Sequence, residues 1–401
     1  MSASPFPSPS SAEITSLLRL AGLAGFCSMA SMRMCDPMLV ALGAEFHRST
    51  GEASRVVSAF AVTYGLMQLL YGPLGDRIGK LNVVGLAAAG CTLASALAAL
   101  APSFDLLVVC RALMGAMAAG IIPMSLAWIG DQVPYERRQE TLARLMGATL
   151  TGMLSGQWLG GVAADTIGWR GAFWVLALAF GVAAWRLRRG ARELPTQVAA
   201  GGVGTSLATA LSLLRQPQVR WVLAVTLTEG ALVFGVVAFV PSHLAEHFGF
   251  SLSAAGAVMA LYGVGGLCYS QLARLWVRVL GERGLSGVGS VLIAASMLAL
   301  GHTDLRAVAV GACFLAGLGF YMLHSTLQTQ ASQMAPQARG TGVALFACVL
   351  FFGQSIGVPL AAAGIDRGLA SFTFTIAAMA TLLLGMTVAR RVGRPPKPTA
   401  S

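Results

Sequence analysis

Long apolar runs alternate with short polar or glycine-rich breaks along almost the whole chain. The runs are close to the ~20 residues that a helix needs to cross a bilayer. Backbone groups cannot stay unpaired in lipid, so each run is predicted to be a helix. β-Strands are disfavoured because the runs are long and lack alternation. The twelve predicted helices are 18–43, 54–74, 82–101, 105–129, 142–164, 168–188, 218–241, 252–273, 286–301, 305–329, 340–363 and 369–389.

The composition agrees with an all-α integral membrane protein whose solvent is the lipid bilayer. The chain is 56% hydrophobic and only 11% charged, whereas about one quarter of a soluble protein is charged. Twelve helices with short loops account for the length of the chain, so no soluble domain is predicted. All seven cysteines lie in apolar runs without metal-ligand spacing. We therefore expect neither disulfides nor a metal site.

The basic residues predict an orientation. Of the 27 Lys and Arg residues, twenty lie at one set of helix ends, five lie at the opposite ends, and Arg33 and Arg111 lie within spans. By the positive-inside rule the richer side is cytoplasmic, so both termini are expected inside, in a bacterial inner membrane. The charge of +11 then faces anionic lipid and does not indicate a nucleic-acid partner.

The two halves of the chain resemble each other at an offset of about 202 residues. Gly152-x-x-x-Gly156 in the fifth helix corresponds to Gly353-x-x-x-Gly357 in the eleventh, and Asp165 and Asp366 end those helices. Duplicated halves favour a transporter whose substrate site lies between them, near mid-membrane. The predicted organisation is a disordered cytoplasmic tail 1–16, a six-helix bundle 17–188, a cytoplasmic loop 189–217, a second six-helix bundle 218–390 and a basic tail 391–401.

Between the second and third helices lies a charged, glycine-rich motif. It runs from Tyr71 to Lys80 and contains Gly72, Gly75, Asp76, Arg77 and Gly79. Other motifs are Asp36-Pro37, Arg111-x-x-x-Gly115, Gly168-Trp169-Arg170 and the fifth-helix series Gly152, Gly156, Gln157, Gly160 and Gly161.

Over residues 15–390 these motifs resemble the major facilitator superfamily, and within it the twelve-helix drug/proton antiporter (arabinose-efflux-like) group. The resemblance implies two pseudo-symmetric six-helix bundles. It also implies that Gly72, Asp76, Arg77, Gly79 and Lys80 form a cytoplasmic gate. There, Asp76 would accept hydrogen bonds from the helix that starts near Gly340. A solvated basic turn is the alternative. The antiporter group usually has proline where this chain has Gln157, so that helix kink is absent.

Four ionisable residues lie well inside predicted helices: Arg33, Asp36, Arg111 and Glu229. A charge at the bilayer centre costs ~3 kcal/mol on insertion scales, so such residues should face the interior and have partners. Arg33, Asp36 and Arg111 are expected at similar depth and could form one cluster. Burial and a nearby cation shift a carboxylate pKa in opposite directions, which suits Asp36 for proton coupling. A static ion pair is the alternative.

The remaining polar and aromatic residues are candidates for the cavity. Glu229 is expected to bind substrate or a second proton, or else to be a neutral group bonded to Thr226 or Thr228. The other candidate cavity residues are Tyr64, Gln68, Trp158, Phe234, His324, Gln328 and Gln354.

No nucleophile–base arrangement or phosphate-binding loop is present in the sequence, so neither an enzyme nor ATP-driven transport is predicted. No cofactor is expected, and an ion gradient, in the first place of protons, is predicted to drive the protein, which is expected to work as a monomer. Three functions remain open. They are proton-coupled export of a small organic solute, proton-coupled uptake by the same fold, and a non-transporting membrane sensor or assembly factor.

Overall fold

The computed structural model describes residues 11–191 and 203–392, and within these ranges every regular element is helical. Short 3-10 turns form at Asp36–Met38 and Pro336–Ala338, and a π-helical turn at Gly230–Phe234. The helices are α1 (Ser11–Arg33), α2 (Leu39–Phe46), α3 (Thr50–Ala53), α4 (Arg55–Ile78), α5 (Lys80–Ala99), α6 (Phe104–Ala118), α7 (Ile121–Gln132), α8 (Tyr135–Asp165), α9 (Gly168–Ala191), α10 (Val203–Leu213), α11 (Pro217–Glu229), α12 (Gly235–Val237), α13 (Val240–Glu246), α14 (Leu252–His302), α15 (Arg306–Gln333), α16 (Arg339–Ile365) and α17 (Ala370–Val392).

Ten stretches of the described chain are long and apolar enough to cross a membrane. One of them, α14, has 51 residues and bends at Gly281, whose φ of 60° lies in the left-handed region open to glycine. The predicted break between the helices 252–273 and 286–301 is present, but it is confined to Gly281, and both helices extend into the interval between them. The arginine, leucine and glutamate residues of this interval have high helix propensity, which favours helix on both sides of the bend.

The predicted boundaries of the tails and the central loop also need correction. Residues 11–16 belong to α1 and not to a disordered tail, and α10 lies within the stretch 189–217 that was predicted to be a loop. The helix α17 extends through Val392, past the predicted start of the basic tail. The remainder of these segments, 1–10, 192–202 and 393–401, lies outside the described residues.

Helix packing is described for each half of the chain in turn. Within the first half, α1 packs on α8, α5 on α9 and α4 on α6. Within the second half, α14 packs on α15 and α17, and α11 packs on α16. The halves meet along two helix pairs, α4 with α16 and α8 with α14. The short α10 also contacts both α4 and α16.

Candidate functional site

Asp36 lies at a break in the first long helix. Pro37 follows it and has no N–H to donate, so the α-helical ladder cannot run on unchanged. The chain passes through the 3-10 turn Asp36–Met38 before α2 begins at Leu39. The corresponding helix of the second half is irregular too, with the π turn Gly230–Phe234 directly after Glu229. Such irregular turns inside helices are frequent at functional sites.

The carboxylate of Asp36 is fully buried and only half satisfied. Its Oδ2 accepts hydrogen bonds from the guanidinium of Arg33 at 3.3 Å and from the side-chain amide of Gln157 at 3.1 Å. Its Oδ1 has no partner among the described residues. The Arg33 partner was predicted, whereas no sequence signal indicated that Gln157 on α8 contacts Asp36. One oxygen is thus fixed between a cation and an amide, and the other is available to a proton, water or solute.

Arg111 forms no hydrogen bond or ion pair with Arg33 or Asp36, but it lies near enough to Asp36 to interact with it electrostatically. Its side chain is fully buried and lies 4.4 Å over the ring of Phe60. The guanidinium donates to the carbonyl oxygens of Ser31 at 2.9 Å and Val56 at 3.2 Å. Ser31 lies in the last turn of α1, where carbonyls lack partners within the helix. Arg111 therefore ties α6 to α1 and α4 through the backbone.

Glu229 pairs with His324. The carboxylate Oε2 lies 3.0 Å from the Nδ1 atom of His324 on α15, and Oε1 has no partner among the described residues. Thr226 and Thr228 donate to carbonyls of their own helix, so the predicted threonine partners are wrong. The two paired residues are 95 positions apart, and nothing in the sequence connected them.

An aromatic column joins the two charged clusters. The guanidinium of Arg33 lies 4.6 Å from the ring centre of Phe234. Phe234 packs edge-on against Phe320 at 4.9 Å, and Phe320 stacks on the ring of His324, also at 4.9 Å. Asp36 and Glu229 are thereby connected across the halves through rings that favour a cation on their faces.

The other candidate cavity residues divide into buried and exposed groups. Tyr64 is buried, bonds Gln68 and packs edge-on against Phe351 of α16 at 4.7 Å. Gln354 is buried, and its Oε1 has no described partner. Gln328 is exposed and Trp158 is 48% exposed, so neither lies in the buried centre.

The glycines of α8 allow close packing against α1. A Cβ atom added at Gly152 would lie 2.7 Å from the Cα of Phe26, and one at Gly156 would lie 2.7 Å from the Cα of Ala30. Gly160 meets Met34 in the same way, whereas Gly161 faces Leu252 of α14. These contacts place Gln157 at the level of Asp36.

Two aspartates join the halves at one end of the bundle, called here the Asp366 end (residues 47–54, 165–168, 246–253 and 366–369). Asp366 accepts from the hydroxyl of Ser49 at 2.7 Å and the amide of Gly51 at 2.8 Å. Asp165 accepts from the amide of Ser253 at 2.7 Å and from its hydroxyl. Each aspartate ends a long helix of one half and caps a helix start in the other. A further bond joins Thr50 to Glu246 at 3.0 Å.

The opposite end, called here the Asp76 end (residues 76–80, 131–135 and 334–340), has no such bonds between described residues of the two halves. Lys80 forms an ion pair with Asp131, which lies in its own half. The Asp76 side chain forms no hydrogen bond or ion pair with any described residue, and Arg77 is exposed. A Cβ atom added at Gly72 or Gly340 would meet open space. The predicted contact between Asp76 and the helix start near Gly340 is not made in this structure.

Comparison with known proteins identifies the family. The family model of the Major Facilitator Superfamily matches residues 21–358. The chain belongs to the Major Facilitator Superfamily. A superfamily relative from Bacillus subtilis (strain 168), the uncharacterized MFS-type transporter YceJ, is 26% identical over 82% of this chain and 84% of that protein.

Other superfamily relatives match a shorter part of the chain. The fatty acid resistance protein FarB of Neisseria gonorrhoeae is 30% identical over 34% of this chain and 29% of its own length. The probable multidrug resistance protein EmrY of Escherichia coli (strain K12) is 27% identical over 37% of this chain and also 29% of its own length. The chain therefore spans less than a third of either protein.

Solved structures of superfamily transporters have the same fold. A mutant of the nucleoside transporter NupG superposes with a TM-score of 0.78 at 12% identity, covering 95% of this chain and all of that one. A bacterial homolog of the human lysosomal transporter Spinster superposes with a TM-score of 0.74 at 16% identity, covering 97% of this chain and all of that one.

Proposed function

We propose that this protein is a proton-coupled secondary transporter that exports a small organic solute by alternating access, with Asp36 as the coupling carboxylate. The observation that carries the proposal is the half-satisfied, fully buried carboxylate of Asp36 at the break of the first helix. A buried ionisable residue in a membrane helix is costly to keep and is usually functional.

The proposed topology has twelve crossings. It counts α8 as a crossing in addition to the ten apolar stretches and divides α14 into two crossings at Gly281. With the arginine-rich ends in the cytoplasm, the Asp366 end faces outward and the Asp76 end faces inward. The two halves then form the two bundles of a rocking pair, joined along α4 with α16 and α8 with α14.

In this orientation the structure corresponds to a state closed to the outside. Bonds between the halves hold the Asp366 end together, and the Asp76 end lacks them among the described residues. The start of α8 and residues 270–280 of α14 are exposed on most sides, which supports separation of the halves on the cytoplasmic side. A solute would enter from the cytoplasm and reach the level of Asp36 and Glu229.

The coupling step follows from the partners of Asp36. Ionised Asp36 is stabilised by Arg33 and Gln157, which lie on different helices. Any rearrangement of α8 against α1 changes those bonds and hence the proton affinity of the carboxylate. A solute that engages the free oxygen, or the faces of Phe234 and Phe320, competes with the proton. Proton release on one side and solute release on the other are thereby linked.

Export is preferred to uptake because relatives such as FarB and EmrY carry resistance names. Uptake by proton symport remains the second candidate, and the observation that favours it is Gln157 in place of the proline common in the antiporter group. A sensor without transport is disfavoured by two buried acidic residues on a shared aromatic column.

Everted membrane vesicles test the proposal. Ethidium, palmitate, uridine and leucine are offered to vesicles with an acidic lumen, and their accumulation is measured in wild type, Asp36→Asn and the control Asp304→Asn. We expect gradient-driven accumulation of at least one compound in wild type and the control, and its loss in Asp36→Asn with normal protein in the membrane. Asn keeps the size of Asp36 but cannot exchange a proton.

Three results would speak against the proposal. Undiminished accumulation in Asp36→Asn would remove the coupling role. Solute moving together with protons, out of the acidic lumen, would favour the uptake symporter. No movement of any compound in either direction would favour the sensor.

A further inference from the structure

A groove of about 440 Å³ lies on the outer surface of the bundle, between α5 and α9. Its lining includes no residue of the clusters around Asp36 and Glu229 and none of the residues that define the Asp366 end or the Asp76 end. The lining residues are Ala89 and Thr92 from α5, and Gly181, Ala184, Trp185, Arg188 and Arg189 from α9.

The floor of the groove is apolar, and the whole groove spans most of one lipid leaflet. Ala89, Gly181 and Ala184 leave a shallow channel because their side chains are small. From Gly181 to Arg189 the helix rises by about 12 Å at 1.5 Å per residue. Half of a hydrocarbon core of ~30 Å is about 15 Å. The part of an acyl chain next to the headgroup therefore fits along the floor, and the rest of the chain extends into the bilayer.

One end of the groove carries two arginines whose positions are fixed by packing. Arg189 lies 4.0 Å over the ring of Trp185. The stem of Arg188 packs on α5, where a Cβ atom added at Gly85 would lie 3.3 Å from its Cγ. Both side chains are exposed, and neither forms an ion pair with any residue in 11–191 or 203–392. Two unpaired guanidinium groups beside an exposed tryptophan suit an anionic headgroup at the membrane surface.

We propose that this groove binds a diacyl anionic phospholipid of the cytoplasmic leaflet, with its phosphate between Arg188 and Arg189 and one acyl chain over Gly181 and Ala184. The choice of leaflet rests on the orientation in the proposed function, because α9 ends at the Asp76 end. A free phosphate would satisfy the arginines but would leave the apolar floor uncovered. The lipid covers both, and it bridges α5 and α9 within one half of the protein.

Native mass spectrometry of the delipidated full-length protein tests the site with phosphatidylglycerol as the probe. The variant Arg188→Gln/Arg189→Gln is compared with wild type and with the matched control Arg186→Gln, which removes an exposed arginine of the same helix outside the groove. Each basic residue near an anionic lipid surface contributes ~1 kcal/mol, so the double variant should bind roughly 30-fold more weakly. The control should bind like wild type.

A second variant and two competitors complete the test. Trp185→Ala should weaken phosphatidylglycerol binding without changing the charge. Phosphatidylcholine should bind less tightly than phosphatidylglycerol, and inorganic phosphate should not compete at equal concentration. Equal affinity of wild type and the double variant, equal binding of phosphatidylcholine, or full competition by phosphate would each overturn the proposal. None of these measurements requires transport, so the lipid site can fail while the proposed function holds, and the reverse.

Discussion

The two ends of the bundle use the same kind of interaction to different extents. At the Asp366 end, two aspartates related by the internal repeat each accept hydrogen bonds from a helix start in the opposite half. At the Asp76 end the equivalent acceptor, Asp76, is present but has no described partner. From this difference we infer that a helix-capping aspartate acts as a detachable link between the halves, formed at one end at a time.

The strength of such links suits a reversible switch. A helix cap contributes about 1 kcal/mol, so the two caps at the Asp366 end together contribute about 2 kcal/mol. That amount changes an equilibrium constant by roughly 30-fold. Replacing the caps should therefore shift the balance between the two states while leaving the folded bundles intact.

The largest shift is expected from the double variant Asp165→Ala/Asp366→Ala, which removes both acceptors at the closed end. We expect the population with an open Asp366 end to rise roughly 30-fold. Spin labels at Ile167 and Leu369 report on this end, and labels at Tyr135 and Val279 report on the other. All four positions are exposed, and the partly exposed Cys268 is replaced by Ser.

The control for that variant is Asp304→Ala. Asp304 lies at the same end, but its ion pair is with His247 of its own half. Unchanged label distances in the double variant, or an equal change in the control, would show that the aspartate caps do not hold the halves together.

A smaller shift, about fivefold, is expected from Gly51→Ala. A Cβ atom at position 51 would overlap the carboxylate of Asp366, with its Cγ only 2.5 Å away, so one cap is lost. The matched substitution at the opposite end is Gly340→Ala, where the added methyl group meets open space. The same label distances should change in Gly51→Ala and stay constant in Gly340→Ala. A similar response in both variants would contradict the comparison of the two ends.

The smallest shift, about two- to fivefold and in the opposite direction, is expected from Asp76→Asn. The Asp76 side chain has no described bond here, so the substitution should not destabilise the state with an open Asp76 end. The state with a closed Asp76 end should lose an anion near a helix start, worth typically 0.3–1 kcal/mol. The Tyr135–Val279 label pair should then report longer distances more often than in wild type. A shift toward shorter distances would exclude Asp76 as a cap of the alternate state.

Much of the fold could be predicted because bilayer crossing imposes length and hydropathy on each helix. The prediction failed where those constraints end. The arginines and glycines of residues 274–284 suggest a longer break, but helix continues through this interval except at Gly281, which supplies the bend. The start of α1 at Ser11 and the short α10 were missed for the same reason.

The site was predictable in part. Buried charges are rare enough in apolar runs that Arg33, Asp36, Arg111 and Glu229 stand out one by one. Their partners depend on which helix faces lie together, and this is set by packing contacts such as those of Gly156 with Ala30. The outer links were missed as well, although a signal existed. Asp165 and Asp366 were recognised as repeat equivalents. The sequence also has Ser49 and Ser251, residues suited to begin a helix, and these serines are the N-caps of α3 and α14.

The bend at Gly281 has a mechanical consequence. The part of α14 from Leu252 to Leu280 is about 43 Å long at 1.5 Å per residue, which exceeds a hydrocarbon core of ~30 Å, and its far end joins the next segment with no slack between them. A rotation of the part of α14 before Gly281 is therefore transmitted directly to the part after it. The backbone torsions of Gly281 are then the pivot that sets how far the two parts can turn against each other.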